Sequence, residues 1–272
     1  MRQPSPPFIA QASTRWAWLG VALGLSTALI TQAPAYWLAQ WVAAASDQRM
    51  LLQDPQGTLW NGSAQWVLNE GPRNKDMATT SLPTRVTWQL APHLDLNAQR
   101  LGLSARVASA CCTPQPVRVD VLPVWQGVRV KISDHTSQWP AAWLVGLGAP
   151  WNTVQPDGVM QLQTTQLVWD QRGSTTRLNG KAELQLRQLA TRLSTLRPLG
   201  DYRLRVQGGD TIALTLDTLG GSLQLQGTGQ WQQGRLQFNG EATAAPDAQD
   251  ALSNLLNVLG QRQGNKSILK MG

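Results

Sequence analysis

Charge is scarce in this chain. Only 14% of its 272 residues are Asp, Glu, Lys or Arg, against about 25% in an average soluble domain. The 23 basic residues outnumber the 16 acidic ones, for a net charge of +7. The excess is dispersed as single arginines (Arg85, Arg106, Arg118, Arg129, Arg187, Arg203, Arg205) with no basic run interleaved with aromatics. A nucleic-acid groove needs a clustered patch, so nucleic acid is excluded as a partner. Also missing are a GxSxG elbow, an HExxH pair and a GxxxxGK[ST] loop. The aspartates Asp54, Asp95, Asp120, Asp134, Asp157 and Asp170 are spread without a metal-ligand spacing. The two histidines, His93 and His135, stand in "APHLD" and "SDHTS", which read as surface or turn sequence. No catalytic, cofactor or metal residue is therefore assigned, and a cell-wall or sugar-active enzyme ranks last among the functions weighed.

Phenylalanine and tyrosine occur twice each, whereas tryptophan occurs 13 times. The stretch from Arg15 to Asp47 carries no charge between its ends and exceeds the ~20 apolar residues of a spanning helix. Trp16 and Trp18 mark one end; Tyr36, Trp37 and Trp41 mark the other, where indoles favour the headgroup layer. Arg2 and Arg15 precede it without an acidic residue. The positive-inside rule puts the N-terminus in the cytoplasm and the remainder across the inner membrane. The competing reading is a cleaved signal peptide ending at "APA", Ala33 to Ala35. Beyond the anchor, "VAAASDQRMLLQDPQG" is expected to continue as a short helix stopped at Pro55–Gly57.

From Gly57 to about Ala242 the dominant period is two, as in "VRVDV" from Val117, "VRVKI" from Val128, "YRLRV" from Tyr202, "IALTL" from Ile212 and "LQLQ" from Leu223. Successive strand side chains face opposite ways, so each segment buries one side and wets the other. Turn signals divide the runs at Gln126-Gly127, Pro156-Asp157-Gly158, Gly208-Gly209-Asp210, Gly220-Gly221 and Gln233-Gly234. The expected fold class is mainly β: one transmembrane helix, then an antiparallel, curved or two-lobed sheet or sandwich with short helices. One such helix starts at Pro140, suited to a first helical position, and ends at Gly148. The other opens at Pro246 and aligns Leu252, Leu255, Leu256 and Leu259 on one stripe before Gly260. The expected divisions are residues 1–15 as cytoplasmic tail, 16–45 as anchor and membrane-proximal helix, 46–150 as one β-rich half, and 151–272 as the other.

The step apolar-Asn-Gly-x-Ala recurs at Trp60–Ala64, Leu178–Ala182 and Phe238–Ala242. Asn-Gly favours positive-φ turns, and glycine permits bulges and close backbone approach. Gly57, Trp60, Gly62, Trp66, Gly180 and Gly240 are accordingly singled out as a structural motif, tryptophans filling a sheet face and glycines bending strands. An aromatic platform for a sugar or peptide is the functional alternative. The two cysteines are neighbours, Cys111 and Cys112. A vicinal disulfide, two free thiols, or bonds to another chain all remain open, since the periplasm permits disulfides.

"GTLWNGSA" after an N-terminal anchor, "VTWQLAP" from Val86, "WLVGLGAPWNTVQPDG" from Trp143, "LSTLRPLGDYRL" from Leu193 and "ALSNLLNVLGQRQG" from Ala251 together resemble the type II secretion system protein N family, also called general secretion pathway protein N. The resemblance implies a single-pass inner-membrane component that helps folded proteins leave the periplasm across the outer membrane. Its implied partners are inner- and outer-membrane components of that apparatus. The alternative, from another class, is a membrane-anchored lipid-binding or lipid-transfer β module, with membrane lipid as the partner.

Overall fold

The computed structural model describes residues 14–71, 79–96, 99–232 and 235–272. The N-terminal tail carrying Arg2, and the Gln233-Gly234 turn, lie outside the described residues.

The apolar N-terminal stretch is not one helix. It divides into α1 (Thr14–Thr31) and α2 (Ala35–Ala45), because Pro34 has no N–H to continue the ladder and sits in extended backbone, φ −70° and ψ 147°. Among the described residues no helix is long and apolar enough to cross a membrane. α2 packs inward, burying Ala35 and Ala39, while the large side chains of α1 are exposed.

The remainder is mostly strand: β1 (Met50–Gly57), β2 (Asn61–Leu68), β3 (Thr80–Ser81), β4 (Val86–Asp95), β5 (Arg100–Ser109), β6 (Val117–Val124), β7 (Gly127–Ile132) and β8 (His135–Pro140), then β9 (Asp157–Arg172), β10 (Thr175–Ala190), β11 (Gly200–Gln207), β12 (Ile212–Gly221), β13 (Leu223–Gln232) and β14 (Arg235–Ala244), and finally β15 (Gln261–Gln263) and β16 (Lys266–Met271). Between β8 and β9 lie a 3₁₀ helix (Ala141–Leu147) and the single turn α3 (Trp151–Val154); α4 (Gln249–Leu259) precedes β15. All sixteen described strands join one sheet, in the order β1-β2-β4-β5-β6-β7-β9-β10-β11-β12-β13-β14-β16-β15, with β3 on β2 and β8 on β9. Every pairing is antiparallel. The long β9 carries the sheet across the Pro-rich segment at 149–158: β8 pairs with its first half and β7 with its second.

Several local expectations are corrected. Of the stretch from Val42 expected as a short helix, Val42–Ala45 closes α2, whereas Met50–Gly57 is strand β1, because Met50 and Leu52 stand opposite Leu68 and Trp66 of β2. Pro55 is tolerated there because β1 is an edge strand and breaks register between Gln53 and Gln56, as edge prolines do. The Asn-Gly steps lie within β2, β10 and β14, where cross-strand pairing outweighs the local turn preference of Asn-Gly. Pro140 ends β8 and caps a 3₁₀ rather than an α-helix. Asp157-Gly158 opens β9. His93 and His135 belong to strands β4 and β8 and are half-buried.

Alternation gives the sheet an apolar and a polar face. On the apolar face α2 seals β1 and β2 through Ala35, Ala64 and Trp88. At the other end α4 buries Leu252, Leu255 and Leu256 against Tyr202, Leu223 and Ala242. Tyr202 is fully buried and its hydroxyl donates to the Leu223 carbonyl at 2.9 Å. That burial, with Asp201 nearby, pushes the phenol pKa well above its ordinary value.

Candidate functional surfaces

The tryptophans of the Gly57–Trp66 stretch are turned to structural work. The Trp60 indole N–H donates to the Ile30 carbonyl at 2.6 Å and so ties β2 to the end of α1. Gly57 takes φ +85°, a left-handed value that favours glycine. A side chain at Gly62 would meet Trp88 Cζ2 at 2.5 Å. Trp66 meets Trp143 and Trp139 edge-on at centroid separations of 5.1 and 6.1 Å, and those two stack at 5.5 Å. This trio, which sequence reading did not assemble, packs with Leu82, Val86 and Cys112. The indole N–H groups of Trp66 and Trp143 are buried without a partner among the described residues. Gly180 has φ +87° where β10 breaks register with β9; Gly240 stands directly opposite Gly227, beneath Phe238.

The Sγ atoms of Cys111 and Cys112 are joined. Cys112 is buried, and its carbonyl accepts the Gln138 N–H at 2.7 Å. The Cys111 N–H donates to the Thr84 hydroxyl at 3.1 Å. The bonded pair thus sits in a turn that bridges β5, β8 and the segment before β4, with Cys112 facing the tryptophan trio.

The polar face carries an ordered charge pattern. Directly opposed across strands are Asp95 and Arg100, Asp120 and Lys131, Arg129 and Asp170, Asp170 and Arg177, Glu183 and Arg205, and Arg203 and Asp217. Opposite charges facing each other in this way stabilise a sheet. Asp170, 8% exposed, receives both Nε and Nη2 of Arg129, at 2.6 and 3.1 Å. That hydrogen bonding raises the Arg129 pKa further above its ordinary range despite burial. Lys131 reaches Asp95 at the end of β4 at 2.8 Å, across the intervening β5 and β6. Where like charges oppose, at Arg106 and Arg118, Asp120 stands 3.0 Å from Arg118. Burial alone would raise the Asp120 pKa; hydrogen bonds from Ser104 and Arg118, with the Arg118 and His93 charges, hold it below the ordinary carboxylate value. His93 Nδ1 lies 3.5 Å from Arg118 Nη2, and His135 Nδ1 lies 2.7 Å from the Thr164 hydroxyl. The alternating Arg/Asp/Lys positions of "VRVDV" and "VRVKI" were the available signal for these rows; which strands lie side by side was not in it. Among the described residues no group of three His, Cys, Asp or Glu side chains converges as a metal site would.

The arrangement defines a class: a continuous antiparallel sheet with one face of charge ladders and one of helix-capped apolar packing. Residues 48–268 match the family model described as type II secretion system (T2SS), protein N, a span that takes in the sheet from just before β1 into β16. The chain belongs to that family and is thereby a component of a secretion system. No curated protein and no solved structure matches it significantly.

Proposed function

We propose that this chain is a non-catalytic inner-membrane member of the type II secretion pathway whose β body stands in the periplasm. There it acts as a scaffold or assembly factor, through contacts with other inner- and outer-membrane components, in the export of folded proteins. The observation that carries the reading is the sheet that the family match spans, broad, continuous and antiparallel throughout. Its proposed membrane contact is α1, which exposes large apolar side chains, Trp18 at 70%, Leu23 at 73% and Leu29 at 61%. Exposed apolar surface of this kind favours a bilayer or a partner. Eighteen residues at 1.5 Å each reach about 27 Å, short of the ~30 Å hydrocarbon layer, so α1 by itself does not complete a span. Deleting the gene is expected to leave exoproteins trapped in the periplasm, and other secretion components should co-purify with the chain. Unimpaired secretion with nothing co-purifying, or a C-terminal reporter active only in the cytosol, would remove the proposal.

One observation favours a lipid-handling role as the second reading. Val119, Val121, Val128 and Val130 share the apolar face of β6 and β7, between the outer strands on which α2 and α4 pack. Organic extraction of the purified chain followed by mass spectrometry decides it; recovery of no bound lipid would rule it out.

A further inference from the structure

The two outer edges of the sheet are poor templates for another strand. β1 is broken by its register shift and Pro55, and β15 is only three residues long, devices that discourage edge pairing. A third edge lies inside the sheet. β10 pairs with β9 along Thr175–Asn179, but on its other side β11 begins to pair only at Lys181, with Gly208 N–H donating to the Gly180 carbonyl. Gly208 lies close against the Leu178 and Asn179 backbone. Thr175–Arg177 therefore has no neighbouring strand on that side among the described residues.

The charge ladder stops at the same place. The row runs Arg129 on β7, Asp170 on β9, Arg177 on β10, and the next position, where an acidic residue would continue the alternation, is empty because β11 does not extend so far. Asp170 is committed to Arg129. The guanidinium groups of Arg177 and Arg172 have no ion pair or side-chain hydrogen bond within the described residues, and both line a cleft with Arg129, Thr175 and Asp210. Two unengaged guanidinium groups there face one carboxylate, Asp210.

We propose that the open β10 edge at Thr175–Arg177, with Arg172 and Arg177, docks an extended acidic segment of a partner protein. Three residues of edge are too few to hold a strand, so backbone contact is brief and the segment is held mainly by its carboxylates on the guanidinium groups, preferably in the bidentate geometry that arginine offers. This specifies the location and chemistry of one contact and rests on the docking role proposed above.

The test uses the full chain in detergent and a fluorescent peptide of alternating valine and aspartate, about eight residues long, the length of an ordinary strand. The wild type is expected to bind it. Arg172→Glu with Arg177→Glu should weaken binding about tenfold or more and create affinity for the valine–lysine counterpart. Arg172→Gln with Arg177→Gln should give a smaller loss, and Arg187→Glu, further down β10, should change nothing. Equal binding of the acidic peptide by wild type and charge-reversed chain overturns the proposal. So does displacement of the peptide by inorganic phosphate as effectively as by unlabelled peptide, which would mark a bare anion site. Arginine-dependent binding to phosphatidylglycerol vesicles without peptide binding overturns it in favour of a membrane. Failure of peptide binding leaves the secretion phenotype untouched, so the two readings fall separately.

Discussion

Replacing Gly62 with alanine tests the central packing idea. The added methyl would lie 2.5 Å from Trp88 Cζ2, 2.7 Å from the Gln56 carbonyl and 2.9 Å from the Thr58 carbonyl. Two of these neighbours are backbone and cannot rotate away. The third is an indole that is 4% exposed, is held by its N–H on the Leu59 carbonyl at 3.0 Å, and packs with Ala35 of α2. Relief therefore requires β1 and β2 to part or α2 to lift. Overpacking of this kind costs about 1–3 kcal/mol. At about 2–4 °C per kcal/mol for a chain of this size, melting should fall by about 2–12 °C. Gly220 is the control: a methyl there meets nothing within 4 Å and the backbone is not left-handed, so Gly220→Ala should be neutral or slightly stabilising, by about 0.5 kcal/mol. Thermal unfolding of both full-length variants in detergent gives the comparison. If Gly62→Ala melts with Gly220→Ala, the account of glycine as a seat for Trp88 is wrong.

Three further outcomes are expected. Leu255→Ala, emptying a site 1% exposed beneath α4, should cost about 2–5 kcal/mol in chemical denaturation, while Val258→Ala on the exposed side stays within about 0.5 kcal/mol; equal effects would refute the assignment of the helix face. Because the folded pKa of Asp120 is depressed, its contribution is complete above the unfolded value of about 4 and disappears as pH falls through the lower folded value. Asp120→Asn should flatten the stability–pH curve in that acidic window, and an unchanged slope would remove the Arg118 and Ser104 contacts as its cause. Cys111 and Cys112 should resist thiol reagents in chain purified and unfolded without reductant, and both should react once the unfolded chain is reduced; ready labelling before reduction would contradict the bonded pair.

The family match makes this protein a component of a secretion system, and the ladder rows pair many of its strand arginines with acidic residues on the neighbouring strand.

The period-two runs were enough to assign β structure, because alternation of apolar and polar residues follows from strand geometry alone, and "VRVKI" has no other low-energy reading. The leucine stripe from Leu252 to Leu259 was equally legible, since a 3.6-residue period is local. The disposition of Met50–Gly57 was not: its apolar residues suit a helix or a strand, and only the presence of β2 alongside decides between them. The same holds for the Asn-Gly steps, whose local preference is a turn but whose neighbours supply a ladder. Which arginine meets which aspartate, and which tryptophans gather with Trp66, depend on strand order and curl, and those arise from contacts between residues far apart in the chain. Local periodicity is written in the sequence because each residue's facing direction depends on its immediate backbone; partnership across a sheet is a property of the whole fold, and only the tertiary structure decided it.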